Sequence, residues 1–514
     1  NKSYPEGGKG IVSVFKIQQD NYRWSVSDFK VPNPKQLVIY EMLLRDFTAS
    51  NDLNGAMQKL DYLKSLGVNA IELMPVQEFD GNDSWGYNPC FFFALDKAYG
   101  TKKMYKDFID ACHKAGMAVI FDVVYNHATG SMPFAKLYWN SANNKTAPNN
   151  PYFNVDAPHP YSVFHDFNHE SPLVRKFVKR NLQFLLNEYH IDGFRFDLMA
   201  IHDIETMNRV ARELKTINPS IFVYGEGWTA GDSPLPVERR ALKENVSKMQ
   251  DIAVFSDDIR DAVKGHYSNE AERGFATGKP GNEETVKIGI VASTAHPQVD
   301  YTKGNNSKFA YATAPTQIIN YVSCHDDLML TDKLAKSMPE ADVATRQRAA
   351  RLAQTIVFTS QGTPFMFAGE EIFRDKKGVH NSFVSPDYIN AIDWDLKTTN
   401  IDQFEYYREL IALRKAHPAF RMTTAADIAK NLVFDNETRT NVISYSLKNH
   451  ANGDSWKEIK IVFNGNDKAV DVRIPKGNWT IVAYDGKLKA NGMDKSQGGN
   501  MTVPAYSALI LAQK

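Results

Sequence analysis

The chain has 514 residues, 43% hydrophobic and 23% charged, which is the profile of a folded protein of about two to four domains and not of a disordered one. Lys+Arg and Asp+Glu both number 60, so the formal charge is zero, the basic excess of a nucleic-acid binder is missing, and neutral ligands remain. Cys90, Cys112 and Cys324 are odd in number and lack metal-ligand spacing, which argues against a disulfide framework or a zinc site, and no apolar run is long enough to span a membrane.

Residues 1–36 are too short for a domain and are expected to cover part of the following domain or to finish an upstream module. Because the first residue is Asn1 and not Met, an N-terminal piece is expected to have been removed, a secretory signal or an upstream module alike. From residue 37 to 417, short apolar strands alternate with amphipathic helices. LVIYE (Leu37–Glu41) reads as the first strand. A helix follows with Met57, Leu60, Leu63 and Leu66 on one face and Gly67 as its stop. NAIELMP (Asn69–Pro75) is the second strand; a helix marked by Met104, Phe108, Ile109 and Cys112 ends at Gly116. MAVIFDVV (Met117–Val124) is the third strand.

The stretch 127–170 is rich in Asn, Pro, Tyr and His and breaks the alternation, as an inserted loop region on the domain's functional rim would. Ser171-Pro172 then supplies an N-cap and first-turn proline for a helix carrying Val174, Phe177, Val178, Leu182 and Leu185. Further strands are predicted at Gly193–Asp197, Ile221–Glu226, Ile252–Phe255, Gln317–Val322 and Pro364–Ala368, which makes eight. Strands alternating with helices form parallel sheets, and eight such units suit a closed (β/α)8 TIM barrel. A doubly wound open sheet is the alternative, but no Gly-rich phosphate loop follows the first strand. Residues 418–514 change character: Ile459, Ile461 and Phe463 alternate with Lys460 and Val462, and Asn464-Gly465 reads as a hairpin turn. This predicts a C-terminal antiparallel β-sandwich domain.

In such a barrel, polar residues at the C-terminal ends of strands are the first candidates for chemistry. The fourth strand ends in GFRFD, with Arg195 and Asp197 on one face; the fifth ends in YGEGW, with Glu226. The third runs into DVVYNH, with Asp122, Asn126 and His127, and the seventh into SCHDD, with His325 and Asp326. A single Arg-x-Asp is ordinarily a structural ion pair. Three acids ending three strands at one rim are not required for stability, since buried carboxylates are costly without partners. Retaining glycoside hydrolysis does require such acids: an ionised nucleophile and a protonated acid about 5–5.5 Å apart. Neighbouring strands stand about 4.8 Å apart, so acids ending the fourth and fifth strands meet that separation. Arg195 would keep Asp197 ionised, and that charge would push Glu226 towards its neutral form.

DVVYNH, GFRFD, GEGW and SCHDD resemble, in order, the four signature regions of the α-amylase superfamily, glycoside hydrolase family 13. The resemblance covers nearly the whole chain. It implies that Asp197 is the nucleophile, Glu226 the general acid/base and Asp326 the third acid, which grips substrate hydroxyls. Arg195, His127 and His325 would line the pocket of the reacting sugar with Asp122 behind Arg195; Tyr87 in SWGYNP would be the stacking tyrosine and Trp228 a further substrate contact. Leu198–Asp203, Ser256–Gly265 and Glu370–Trp394 resemble type I pullulanases in particular, enzymes that cleave α-1,6 branches of pullulan and branched dextrins.

Two departures stand out. The usual His-Asp-Asn is His325-Asp326-Asp327 here, and Leu198–Ile201 replace the Lys-His pair that many α-amylases carry after the nucleophile. The second weakens the case for the family's calcium site, in which Asn126 would take part, so a structural Ca²⁺ stays an open expectation while the chemistry itself needs no cofactor. The expected ligand is an α-glucan. Competing readings are an α-1,4-acting α-amylase or neopullulanase, a branching transglycosylase, and, from another class, a non-catalytic glucan-binding barrel; such barrels lose the acids that this chain keeps.

Overall fold

The computed structural model describes residue 17 and residues 21–514 apart from 160–163 and 232; the remainder of the 1–36 segment lies outside the described residues. Eight parallel strands close a barrel: β1 (Ile39–Met42), β2 (Ala70–Leu73), β3 (Ala118–Val123), β4 (Gly193–Phe196), β5 (Phe222–Gly225), β6 (Ile252–Phe255), β7 (Ile318–Asn320) and β8 (Thr363–Phe367). Closure is made by β1, which pairs with both β2 and β8. Both faces of these strands are buried, inward on the barrel axis and outward under helices, which is why they read as unbroken apolar runs. Inward-facing Ile39, Ala70, Ala118, Ile120, Phe222, Ala253, Phe255, Ile319 and Phe365 fill the lower barrel. Residues 21–36 close its N-terminal end: Val31 joins that interior cluster, Phe29 stacks on His113, and Ser25 donates to Asp110.

The helices follow local signals. Gly67 (φ 101°) and Gly116 (φ 83°) take the left-handed cap that side chains resist, and the Ser171 hydroxyl accepts from Leu173 N–H at the start of Pro172–Tyr189. The first helix is in fact two, Leu53–Gln58 and Leu60–Leu66, broken at Lys59. Between β5 and β6 the described residues form no α-helix, only the 3-10 segments Val237–Arg239 and Lys243–Lys248. The chain there folds back tightly on Gly227, where a Cβ would stand 2.6 Å from Lys243 N. Strand β7 is shorter than its apolar run suggests, so His325 and Asp326 sit on the loop beyond it. An antiparallel pair, Gln77–Phe79 with Pro89–Leu95, forms between β2 and its helix, and its connecting turn carries Tyr87. The 127–170 excursion holds a short helix, Pro133–Leu137, and the small pairs His127–Ala128 with His165–Asp166 and Trp139–Asn140 with Lys145–Thr146.

The C-terminal part is a β-sandwich of a seven-stranded and a two-stranded antiparallel sheet. Asn464-Gly465 is not a hairpin turn. Glu458–Asn464 pairs with Val442–Leu447 and Ser507–Gln513, while the next strand, Val470–Ile474, crosses to the other sheet and pairs with Gly499–Val503. The larger sheet is buried on both sides, Val462, Trp479, Leu509 and Leu511 against the small sheet, and Ile459, Ile461 and Phe463 within the same core cluster as the barrel helices. Among the described residues no helix is long and apolar enough to cross a membrane, and the three cysteines are unpaired.

Candidate active site

Strand periodicity builds the site. On β4, Arg195 and the following Asp197 share the inward face, and the register Phe196↔Gly225 places Asp197 and Glu226 side by side as each leaves its strand. At about 4.8 Å between strands, this is the spacing at which two carboxyl groups can flank one glycosidic bond. Arg195 is the common partner. Its Nη1 donates to Asp122 Oδ1 (3.0 Å) and Asp197 Oδ1 (3.1 Å), and its Nη2 lies 2.8 Å from Glu226 Oε1. The second oxygen of Glu226 accepts from Leu198 N–H at 2.8 Å, and the second oxygen of Asp197 accepts from Asn126 Nδ2.

The two acids differ in environment. Glu226 is buried, and burial first, with the negative charges of Asp197 and Asp326 adding to it, pushes its carboxyl up to about 8 although Arg195 and Leu198 N–H pull down. Desolvation, and not only the charge of Asp197 expected from the sequence, is the larger cause. Asp197 lies less deeply, its side chain 15% exposed, beside the guanidinium. Asp122 is raised by burial to about 6 despite Arg195, and accepts from the Tyr87 hydroxyl.

The remaining expected residues gather around these. Tyr87 stacks on His325 with ring centroids 5.0 Å apart. His127 is buried, with its basicity lowered by desolvation, and Nε2 lies 2.7 Å from the Tyr87 carbonyl; a carbonyl only accepts, so Nε2 carries the hydrogen. Asp326 is 43% exposed, its Oδ2 3.4 Å from His325 Nε2. Trp228 is half-buried over the barrel mouth, with Arg260 6.0 Å from its ring.

Several residues escaped the sequence reading. Glu41, at the end of β1, accepts from both the backbone N–H of His325 (2.9 Å) and its Nδ1. Burial alone would lower the basicity of His325, but Asp326 and Glu41 outweigh it and push it up to about 10. The rule that found the other strand-end acids applies equally to LVIYE. Deeper on the axis, Glu72 accepts from Tyr224 across the barrel, and burial raises its carboxyl far above the ordinary range. Leu198 takes φ 40° directly after Asp197, which turns its N–H onto Glu226; nothing in the sequence signals this.

Among the described residues two places bear on a metal ion, and neither presents a free ligand set. The atoms of Cys324, His325 and Asp326 lie within 4.8 Å of one another. Yet His325 Nδ1 is committed to Glu41. At Asn126, Oδ1 has no partner among the described residues, but the neighbouring carboxylate, Asp166, already accepts from His159 Nε2 and Asn154 Nδ2, each at 2.7 Å. Leu198–Ile201 offer no oxygen side chain where calcium would need six to eight oxygen ligands.

A closed (β/α)8 barrel with an arginine-bridged Asp–Glu pair at its C-terminal rim defines a carbohydrate-cleaving class, and comparison with known families agrees. Residues 29–163 and 159–400 match "Alpha amylase, catalytic domain": the chain belongs to the α-amylase family. Residues 428–487 match "Pullulanase, all-beta domain". The pullulanase of Bacillus subtilis (strain 168) is 34% identical over 507 residues, covering 91% of this chain and 68% of that protein. The solved pullulanase of Bacillus acidopullulyticus superposes with a TM-score of 0.86 at 35% identity, over 96% of this chain and 63% of its own. The type I pullulanase of Bacillus subtilis str. 168, solved with maltose, superposes with a TM-score of 0.88 at 31% identity, over 96% and 72%. The chain thus spans roughly two thirds of the length of these pullulanases.

Proposed function

We propose that this chain is a retaining, pullulanase-type debranching enzyme that hydrolyses α-1,6 links in pullulan and branched α-glucans. The Asp–Glu pair on adjacent strands, joined by Arg195, carries the chemical part of this reading. The likeness to pullulanases in both the barrel and the β-domain supports the linkage.

In the first step an Asp197 oxygen attacks C1 of the glucosyl unit while protonated Glu226 gives its proton to the departing O6. The C1–O6 bond breaks and a glycosyl ester forms on Asp197. Esterification removes the negative charge of Asp197, one of the groups that hold Glu226 up, so Glu226 becomes the stronger acid just after losing its proton. As a carboxylate it then takes a proton from water; the hydroxide equivalent attacks C1 and releases Asp197. Two inversions give net retention, and no metal ion enters the chemistry. Arg195 stabilises the carboxylates in turn, and Asp326 with His325 is placed to hold sugar hydroxyls.

The test is digestion of pullulan with product identification and NMR of the first-formed anomer. Maltotriose released as the α-anomer, with little attack on linear amylose, is the expected result. Panose, or a maltose ladder from amylose at a comparable rate, would replace this reading by a neopullulanase or α-amylase one.

A further inference from the structure

Of the acids in the His-Asp-Asp stretch, Asp327 has no part in the two-carboxylate chemistry. Its backbone is left-handed (φ 62°), a conformation that Asn and Asp both tolerate, so the turn calls for no charge. The charge has partners on another element. Asp327 Oδ1 lies 3.1 Å from His380 Nε2, and Asp327 N–H donates to Asn381 Oδ1 at 2.8 Å; both residues belong to the loop after β8. The side chain is 17% exposed, and burial together with Asp326 disfavours its ionised form, whereas Lys264, Arg260 and His380 favour it. A carboxylate beside Asp326 is tolerable because Lys264 and Arg260 face it and His380 Nε2 lies within bonding distance of it.

The loop after β8 is tied at its base. Asp332 accepts from the N–H groups of Lys376 and Gly378, both at 2.7 Å, and Asn390 Nδ2 donates to the carbonyls of Ser382 (2.8 Å) and Ser385 (2.9 Å). Between these anchors His380 and Asn381 reach Asp327. Just beyond stands Phe383, 47% exposed, with its ring 5.9 Å from Trp85; the Trp85 ring is in turn 5.1 Å from His325. A chain of rings therefore runs from the reacting-sugar pocket to an apolar edge at the rim, the kind of surface on which ligand sites are built.

We propose that Asp327 and His380 clasp the loop after β8 to the catalytic loop after β7, and that the clasp sets linkage selectivity by holding Phe383 as a fixed wall beside the sugar pocket. The linkage part rests on the debranching function proposed above. An α-1,6 link has one more rotatable carbon than an α-1,4 link, so a wall at fixed distance separates the two, and a wall that moves does not. Asp327 and His380 are positioning residues, acting through Phe383.

A double-mutant cycle with Asp327→Asn, His380→Ala and the pair tests this, with Phe383→Ala alongside. Asp327→Asn keeps a residue suited to the left-handed turn, and thermal melting checks the fold of each variant. Each single change is expected to lower kcat/KM on pullulan about tenfold, mostly through KM, as loss of one charge-assisted contact does. The double variant is expected to be no worse than either single one. All four variants should narrow the ratio of pullulan to amylose cleavage, and chymotrypsin should cut after Phe383 or Tyr388 faster in the clasp variants than in the native protein. Multiplicative losses in the double variant, or an unchanged KM, linkage ratio and cleavage rate in folded single variants, would overturn the clasp. If the native chain fails to release maltotriose, the debranching reading falls. The cycle, run on whichever α-glucan is cleaved, then still decides the clasp.

Discussion

Replacing Glu226 by Gln keeps the shape of the side chain but turns one acceptor oxygen into an NH2 donor and removes the transferable proton. In the native site burial pushes this carboxyl up to about 8. At pH 6 about 99% of it therefore carries its proton, against about 3% for an ordinary glutamate near 4.5. General acid assistance of this kind contributes about 10²–10⁴ in rate, or about 2.7–5.4 kcal/mol of barrier. That loss should be felt in full on pullulan, whose leaving group is a sugar alkoxide. It should be small for glycosylation by an activated aryl maltotrioside, whose leaving group departs without a proton. The assay is kcat/KM on both substrates across pH 5–10. The native enzyme should lose activity on pullulan tenfold per pH unit above about 8 as Glu226 ionises, and the variant should lack that limb. Equal losses on both substrates, or an alkaline limb that survives in Glu226→Gln, would refute the assignment.

Asp197→Asn should fold normally and lose several orders of magnitude in turnover; a folded variant keeping more than about a tenth of native turnover, a cost of about 1.4 kcal/mol or less, would remove Asp197 as nucleophile. Glu41→Gln removes one of the two carboxylates that hold His325 up near 10, so its imidazolium should lose its proton at a lower pH. A ¹⁵N NMR titration of His325 that does not move downward would sink this role. Gly225→Ala would place a Cβ 2.5 Å from Phe196 O, forcing β4 and β5 apart directly below the catalytic pair. The expected result is about 1–3 kcal/mol of lost stability in chemical denaturation, with activity reduced well beyond the unfolded fraction; native-like activity would show that the pair tolerates such a shift.

Much of this architecture was legible in the amino-acid order because it depends on local physics. Strand and helix alternation, the glycine stops at Gly67 and Gly116, and the Ser171-Pro172 start each express a short-range preference. The strand-end acids Asp197 and Glu226 were found because a period of two fixes which side chains share the inward face. Other features depend on neighbours distant in sequence, and a linear pattern does not encode them. Glu41 meets His325 only because the barrel closes. Val470–Ile474 follows an apparent hairpin turn yet crosses to the second sheet, since both sides of Glu458–Asn464 are already paired, by Val442–Leu447 and Ser507–Gln513, and the face of the first sheet needs cover. The raised carboxyl of Glu226 is mainly a matter of desolvation, which exists only once the surrounding chain has excluded water. Sequence periodicity thus determined which side chains face the barrel axis; the closed tertiary structure decided which of them touch, how dry they are and therefore which protons they hold.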